Sequence, residues 1–378
     1  MAHLKPAHMK LIWQLATRPN TLAEDHALYA QVVPHVLSEG EYVETVAIVA
    51  ALAQLDMYAC ALGRPLTRLP SAGSGSAGAS ASTGGDGRVN ETAIVTADNA
   101  DAAPGRVLAL GQPVERTPLA RVPTVAFADA TERDTLLAYL GKGRRPKRPK
   151  ARSLWRSPNA LRALSAAPPD HLTLVAITTA MYLDDLRPIE QPGGRAVSRA
   201  QTELLAAHVS SRNGCAYGAA WHGMLLAAHT GDGVAECLSI VDAAAVLTEF
   251  ADAACEGLAA PADAGGGDAT AEDGGGADVS ARLASARAAL KKRLGAQALI
   301  DAAAVVGMCH GANCVADACG VRIDGLGVPF AAHVLAELKM GAPPPSWRVS
   351  GAMRWASGRF GWFALRMMHA VAVMRPRQ

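Results

Sequence analysis

Apolar positions recur at helical spacing through most of the second half of this chain, and Gly or Pro residues punctuate them. From Ser153 onward the pattern predicts helices over 157–166, 170–184, 197–211, 215–229, 233–257, 279–293 and 295–319. A further helix is predicted over 41–62, stopped by Gly63 and Pro65 in the order helix C-termini favour. Residues 131–141 suit a short helix. Thr124–Phe127 is the best strand candidate and it is brief. The fold class that follows is all-α.

The pattern fails in two tracts. Ser71 to Gly87 is almost entirely Ser, Ala and Gly, which bury too little surface to offset chain entropy, so a flexible linker is expected. Ala259 to Asp278 has the same character and reads as an insert within a helical unit. A basic, Pro-broken run spans Lys142 to Arg152. The chain closes with a Pro-rich hinge, Pro343 to Pro345, and an apolar segment, Ala352 to Met374.

One internal repeat stands out. Aligning Val43 with Ile300 sets Glu44 on Asp301, Ala47 on Ala304, Ile48 on Val305, Val49 on Val306 and Gly63 on Gly320. Both copies read as helices with an acidic first turn and a Gly stop. The N-terminal copy is incomplete, because nothing before residue 41 supplies the polar constellation found in the second half.

Composition narrows the class. With 378 residues there is length for two units and a sizeable core. Half the residues are hydrophobic but only 4% are aromatic, an Ala-, Leu- and Val-rich balance that favours helix. A net charge of +2 gives no global pull towards nucleic acid or an anionic surface. The basic run 142–152 lacks interleaved aromatics and reads as a solvated linker, so nucleic acid is not an expected partner. Seven scattered cysteines and no signal-like leader point to a reducing, cytoplasmic setting. No uninterrupted apolar run has the length of a membrane span, so no transmembrane segment is expected.

Candidate chemistry concentrates between Glu203 and His222. Asn213-Gly214 breaks the helical pattern, and Cys215 opens the next helix. A thiol there faces unpaired N–H groups and the positive end of the helix dipole, which favours its thiolate. His222 follows seven residues later on nearly the same face. Glu203 lies one helix back, where an antiparallel hairpin can bring it to His222. A carboxylate orienting an imidazole that exchanges a proton with a thiol is a common way to activate a nucleophile. Tyr217 is a candidate secondary donor. Cys309, His310, Cys314 and Cys319 do not share a helix face, so neither a metal site nor any cofactor is expected.

The spacing Glu203, eleven residues, Cys215-Ala-Tyr-Gly218, three residues, His222 resembles the alkylhydroperoxidase D-like, carboxymuconolactone decarboxylase-like family. The lead-in Val209 to Gly214 and the run Val315 to Gly320 add to the likeness. The resemblance implies a complete alkylhydroperoxidase D-like helical domain over 131–330, carrying the insert 259–278. It also implies a partial repeat of the same type over 1–68, a linker and irregular segment over 69–130, and a hinge with an apolar helix over 331–378. In the family's peroxidase branch the second position of the pair is the attacking Cys; here it is Gly218. The implied activity is therefore a thiol-dependent hydroperoxidase using Cys215 alone, with His222 and Glu203 as relay and an external thiol as reductant. Cys309, Cys314 or Cys319 remain candidates for a resolving thiol. Two alternatives stay open: a decarboxylase-like lyase acting on a small carboxylate, with Arg212 as the nearest cation, and a non-catalytic helical interaction module. The resemblance also implies a homo-oligomer.

Overall fold

The computed structural model describes residues 6–17, 20–24, 26–33, 35–64, 114–116, 120–125, 159–182, 194–231, 234–259, 275–323, 328–341 and 347. These residues build an all-α fold with one two-residue antiparallel ladder, Val114–Glu115 (β1) on Thr124–Val125 (β2). The linker 71–87, the short helix 131–141, the basic run 142–152 and the apolar segment 352–374 lie outside the described residues.

The N-terminal helices are α1 (Pro6–Thr17), α2 (Asn20–Glu24), α3 (His26–Val32) and α4 (Glu39–Ala61). After β2 come α5 (Asn159–Ala163) and α6 (Pro168–Met181). The next helices are α7 (Arg199–Arg212), α8 (Ala216–Thr230), α9 (Val234–Ile240) and α10 (Ala244–Ala259). The series ends with α11 (Gly275–Leu294), α12 (Ala296–Ala318) and α13 (Val328–Glu337). Three differences from the sequence expectation matter. The helix expected over 233–257 is two, because the chain turns at Val241 to Ala243, where Ala243 takes a left-handed φ of 60°. No Gly or Pro announces that break. The insert expected to run to 278 ends earlier, since α11 already begins at Gly275. The first 35 residues contribute three helices that periodicity did not single out.

Local signals explain the ends of the central helices. Ser38 and Ser198 each cap their helix with a reciprocal bond from the residue three on, Glu41 or Gln201. α7 and α8 form an antiparallel hairpin whose elbow is Asn213-Gly214, with Gly214 at φ 72°.

α4 and α12 pack on each other more extensively than any other pair. Both are 23 residues long, and both ends are displaced by the same 257 residues. Their C-terminal stops match bond for bond: Arg64 N–H to Ala59 O and Val321 N–H to Ala316 O, both at 2.8 Å. At their crossing, a Cβ on Gly307 would sit 2.6 Å from Gln54 O, and one on Gly311 would sit 2.6 Å from Ala50 O. Adding 257 turns one of these contacts into the other, so the helix pair has local two-fold character.

Two apolar clusters flank this pair. One joins α1–α4 to α5, the start of α8 and the C-terminal half of α12. The other joins the end of α4 to α7, α10, α11 and the N-terminal half of α12. By length and hydropathy α4 and α12 each qualify as a membrane span, with mean hydropathy 1.4, although Gln54, Asp301 and Asn313 interrupt their apolar runs. Two such helices are weak evidence for a span, and the expectation of no transmembrane segment is not confirmed by them. α12 is largely enclosed by other helices, as the core helix of a soluble protein is.

Candidate active site

The α7–α8 hairpin brings Glu203 and His222 together, with His222 Nδ1 2.8 Å from Glu203 Oε2. Glu203 has no solvent exposure at all. Two further groups complete its shell. Arg199, one turn earlier on α7, places Nη2 2.5 Å from Oε1. Tyr182, just past α6, donates its hydroxyl to Oε1 at 2.5 Å and lies 3.4 Å from His222 Nδ1. Arg199 also bonds the Tyr182 hydroxyl at 3.3 Å.

Burial pushes the Glu203 carboxyl pKa up. The Arg199 charge, the His222 hydrogen bond and Tyr182 more than offset it, and the pKa falls to about 2. Burial, then the Glu203 charge, holds the Tyr182 phenol far above its ordinary value, so it stays protonated. These states assign the imidazole tautomer. An ionised Glu203 only accepts, so Nδ1 carries a hydrogen, and in the neutral tautomer Nε2 is the nitrogen with the lone pair. Among the described residues Nε2 has no hydrogen bond. His222 and Tyr182 are each 8% exposed, whereas Arg199 is 3% and Glu203 0% exposed.

Cys215 belongs to a different place. It is the N-cap of α8, and its sulfur accepts from Gly218 N–H at 3.5 Å, as a residue at a helix start should. The expected thiolate does not follow. The sulfur is fully buried, and burial first, then the Asp317 carboxyl, raise its pKa well above the free-thiol value despite the Gly218 N–H. Seven residues of helix separate Cys215 from His222, a rise of about 10 Å. Its neighbours are Asp317 and Cys314; those of His222 are Glu203 and Tyr182. Glu203 and His222 therefore meet, while among the described residues no hydrogen bond joins Cys215 to either of them.

Gly218, where the resemblance would place an attacking thiol, is closed off as well. A Cβ there would collide with Asn313 Oδ1 and lie 2.6 Å from Ser210 Oγ. Those two atoms face each other at 3.1 Å and fill the space. Tyr217, the expected second donor, packs in the N-terminal cluster with its hydroxyl 3.5 Å from Ala160 N. Tyr182 occupies the position at the imidazole instead. Arg212, the candidate substrate cation, pairs with Asp252 at 2.9 Å and Glu256 at 3.2 Å.

Cys309 lies beside Glu203 and is kept neutral by burial and then by that charge. Cys314 and Cys319 are buried, and burial raises both thiols. All seven cysteines are free. Among the described residues no three His, Cys, Asp or Glu side chains gather as metal ligands. Sequence reasoning missed Arg199 and Tyr182. Arg199 was findable, since it precedes Glu203 by four residues and i,i+4 charges meet on a helix. Tyr182 had no such signal, because only tertiary packing brings the end of α6 to α7. Compared with known proteins, the chain matches no family model, no curated protein and no solved structure.

Proposed function

We propose that this chain is a proton-transfer enzyme acting on a small carbon acid, with His222 as the working base. The observation that carries the reading is the Glu203–His222 pair at 2.8 Å, in which an ionised carboxylate holds Nδ1 and leaves Nε2 as the nitrogen available for proton exchange. Arg199 and Tyr182 are positioning residues, holding Glu203 charged and aligned. Nε2 takes a proton from carbon next to a carbonyl and returns it, and Glu203 steadies the imidazolium formed between the two steps. This agrees with the decarboxylase-like side of the resemblance, which needs no redox thiol pair, and makes a small lactone carboxylate the first substrate to try.

The test is deuterium incorporation at carbon into a lactone carboxylate in heavy water, followed by proton NMR. Turnover should fall about 10²–10⁴-fold in His222→Gln and survive in Cys215→Ser. Equal turnover in the native chain and His222→Gln would end this reading. Hydroperoxide consumption that Cys215→Ser abolishes would restore the thiol-peroxidase reading. A non-catalytic helical module keeps one specific support, the sealed packing at Gly218. It would be favoured if neither substrate class were turned over.

A further inference from the structure

α4 carries a row of large apolar side chains that solvent reaches: Ile48 at 45%, Leu52 at 54% and Leu55 at 45%. Their spacing places them on one face of the helix. The 257-residue offset shows what such a face does elsewhere in the same molecule. It maps Ile48 onto Val305 and Leu52 onto Cys309, which are 1% and 0% exposed. Those α12 positions pack in one cluster with Leu205, Ala206 and Val209 of α7.

The polar ends correspond too. Glu44 maps onto Asp301, whose Oδ2 accepts the Ala196 N–H at 2.6 Å just before α7 begins. Asp56 maps onto Asn313, which meets Ser210 near the end of α7. Thus α7 runs parallel to α12, with a backbone N–H at the acid, side chains on the apolar stretch and a hydroxyl at the far polar position. On α4 the acid, the apolar stretch and the far polar residue are all present.

We propose that this face of α4 is a docking socket for one helix of another protein chain, seated as α7 is seated on α12. The occupant runs parallel to α4. It offers a backbone N–H or hydroxyl to Glu44, an aliphatic side chain at Leu52, where α7 has Glu203 against Cys309, and a hydrogen-bond donor to Asp56. A second copy of this chain is a poorer fit, because its own α7 is already occupied by α12. The socket lies on the opposite copy of the repeat from the Glu203–His222 pair and does not depend on that pair's chemistry.

The probe is a fluorescein-labelled, hydrocarbon-stapled peptide with the sequence of residues 195–213 and the change Glu203→Leu, titrated into the full chain by anisotropy. Saturable binding is expected. It should weaken about tenfold or more in Leu52→Asp and in Ile48→Asp. It should be unchanged in Leu238→Asp, which alters an exposed apolar residue on α9. Far-UV circular dichroism should show all three variants folded, since these side chains are exposed. Absence of saturable binding, or equal binding to Leu52→Asp, overturns the proposal. So does self-association in sedimentation velocity that Leu52→Asp abolishes, which assigns the face to a second copy. Co-sedimentation with phosphatidylcholine–phosphatidylglycerol vesicles that Leu52→Asp abolishes assigns it to lipid and also overturns the proposal.

Discussion

Burial alone would raise the Glu203 pKa, and the Arg199 charge is the largest of the effects that lower it instead. The pair is buried on both sides, with side-chain exposure of 3% and 0%, so each charge depends on the other. Arg199→Met should therefore cost about 3–5 kcal/mol in urea denaturation, because it strands a buried anion. The same group sets an acid limb of stability. Its folded pKa of about 2 lies below the usual 4.5, so its contribution is complete above pH 4.5 and is lost as pH falls towards 2. The stability difference between the native chain and Glu203→Gln should shrink by about 3 kcal/mol between pH 5 and pH 2. A constant difference across that range would show that Glu203 is not an anion in the folded state. Cys215 shows the opposite balance. A helix N-terminus attracts a thiolate, but that attraction amounts to roughly 1 kcal/mol, and full burial beside Asp317 outweighs it.

At the scale of elements, the α4–α12 crossing depends on two glycines that bring backbones together. Gly311 in mid-helix would ordinarily gain from an Ala substitution, by about 1 kcal/mol of helix propensity. Here a Cβ would meet Ala50 O at 2.6 Å and the Gln54 side chain, and a backbone carbonyl cannot rotate away. Gly311→Ala should thus lower the unfolding free energy read from urea denaturation by about 1–3 kcal/mol after any shift of α4. A stabilised variant would mean that the helices separate easily. The α7–α8 hairpin depends on cheaper devices: the Ser198 cap, the Gly214 elbow and the Cys215 start are all local. These were legible from residue order alone.

For the whole molecule, the N-terminal copy is not an appendage. Tyr42 donates across to Ala318 O at 2.9 Å, and Gln54 reaches Thr178 at 2.9 Å, so α4 is tied to both α12 and α6. Leu11, Leu15 and Leu22 share a core with Cys314 and Ala318. Removing residues 1–68 should then leave a chain without a cooperative thermal transition, because one side of α12 would lose its cover. A truncated chain that melts cooperatively near the native midpoint would separate the two units.

Most helix positions after residue 41, the Gly63 stop, the Asn213-Gly214 elbow and the Glu203–His222 pairing followed from the sequence, because each rests on spacing within a few turns or across one short elbow. The 257-residue correspondence was visible there as well, since both copies carry the same acid, apolar row and Gly stop. What tertiary structure alone decided was solvent. It sealed Cys215 and filled the space at Gly218, and it brought Tyr182 and Arg199 around one carboxylate. It also left Ile48 and Leu52 open while their counterparts on α12, Val305 and Cys309, were covered. Protonation, reactivity and exposure depend on neighbours distant in the chain, and no local pattern encodes which neighbours those are.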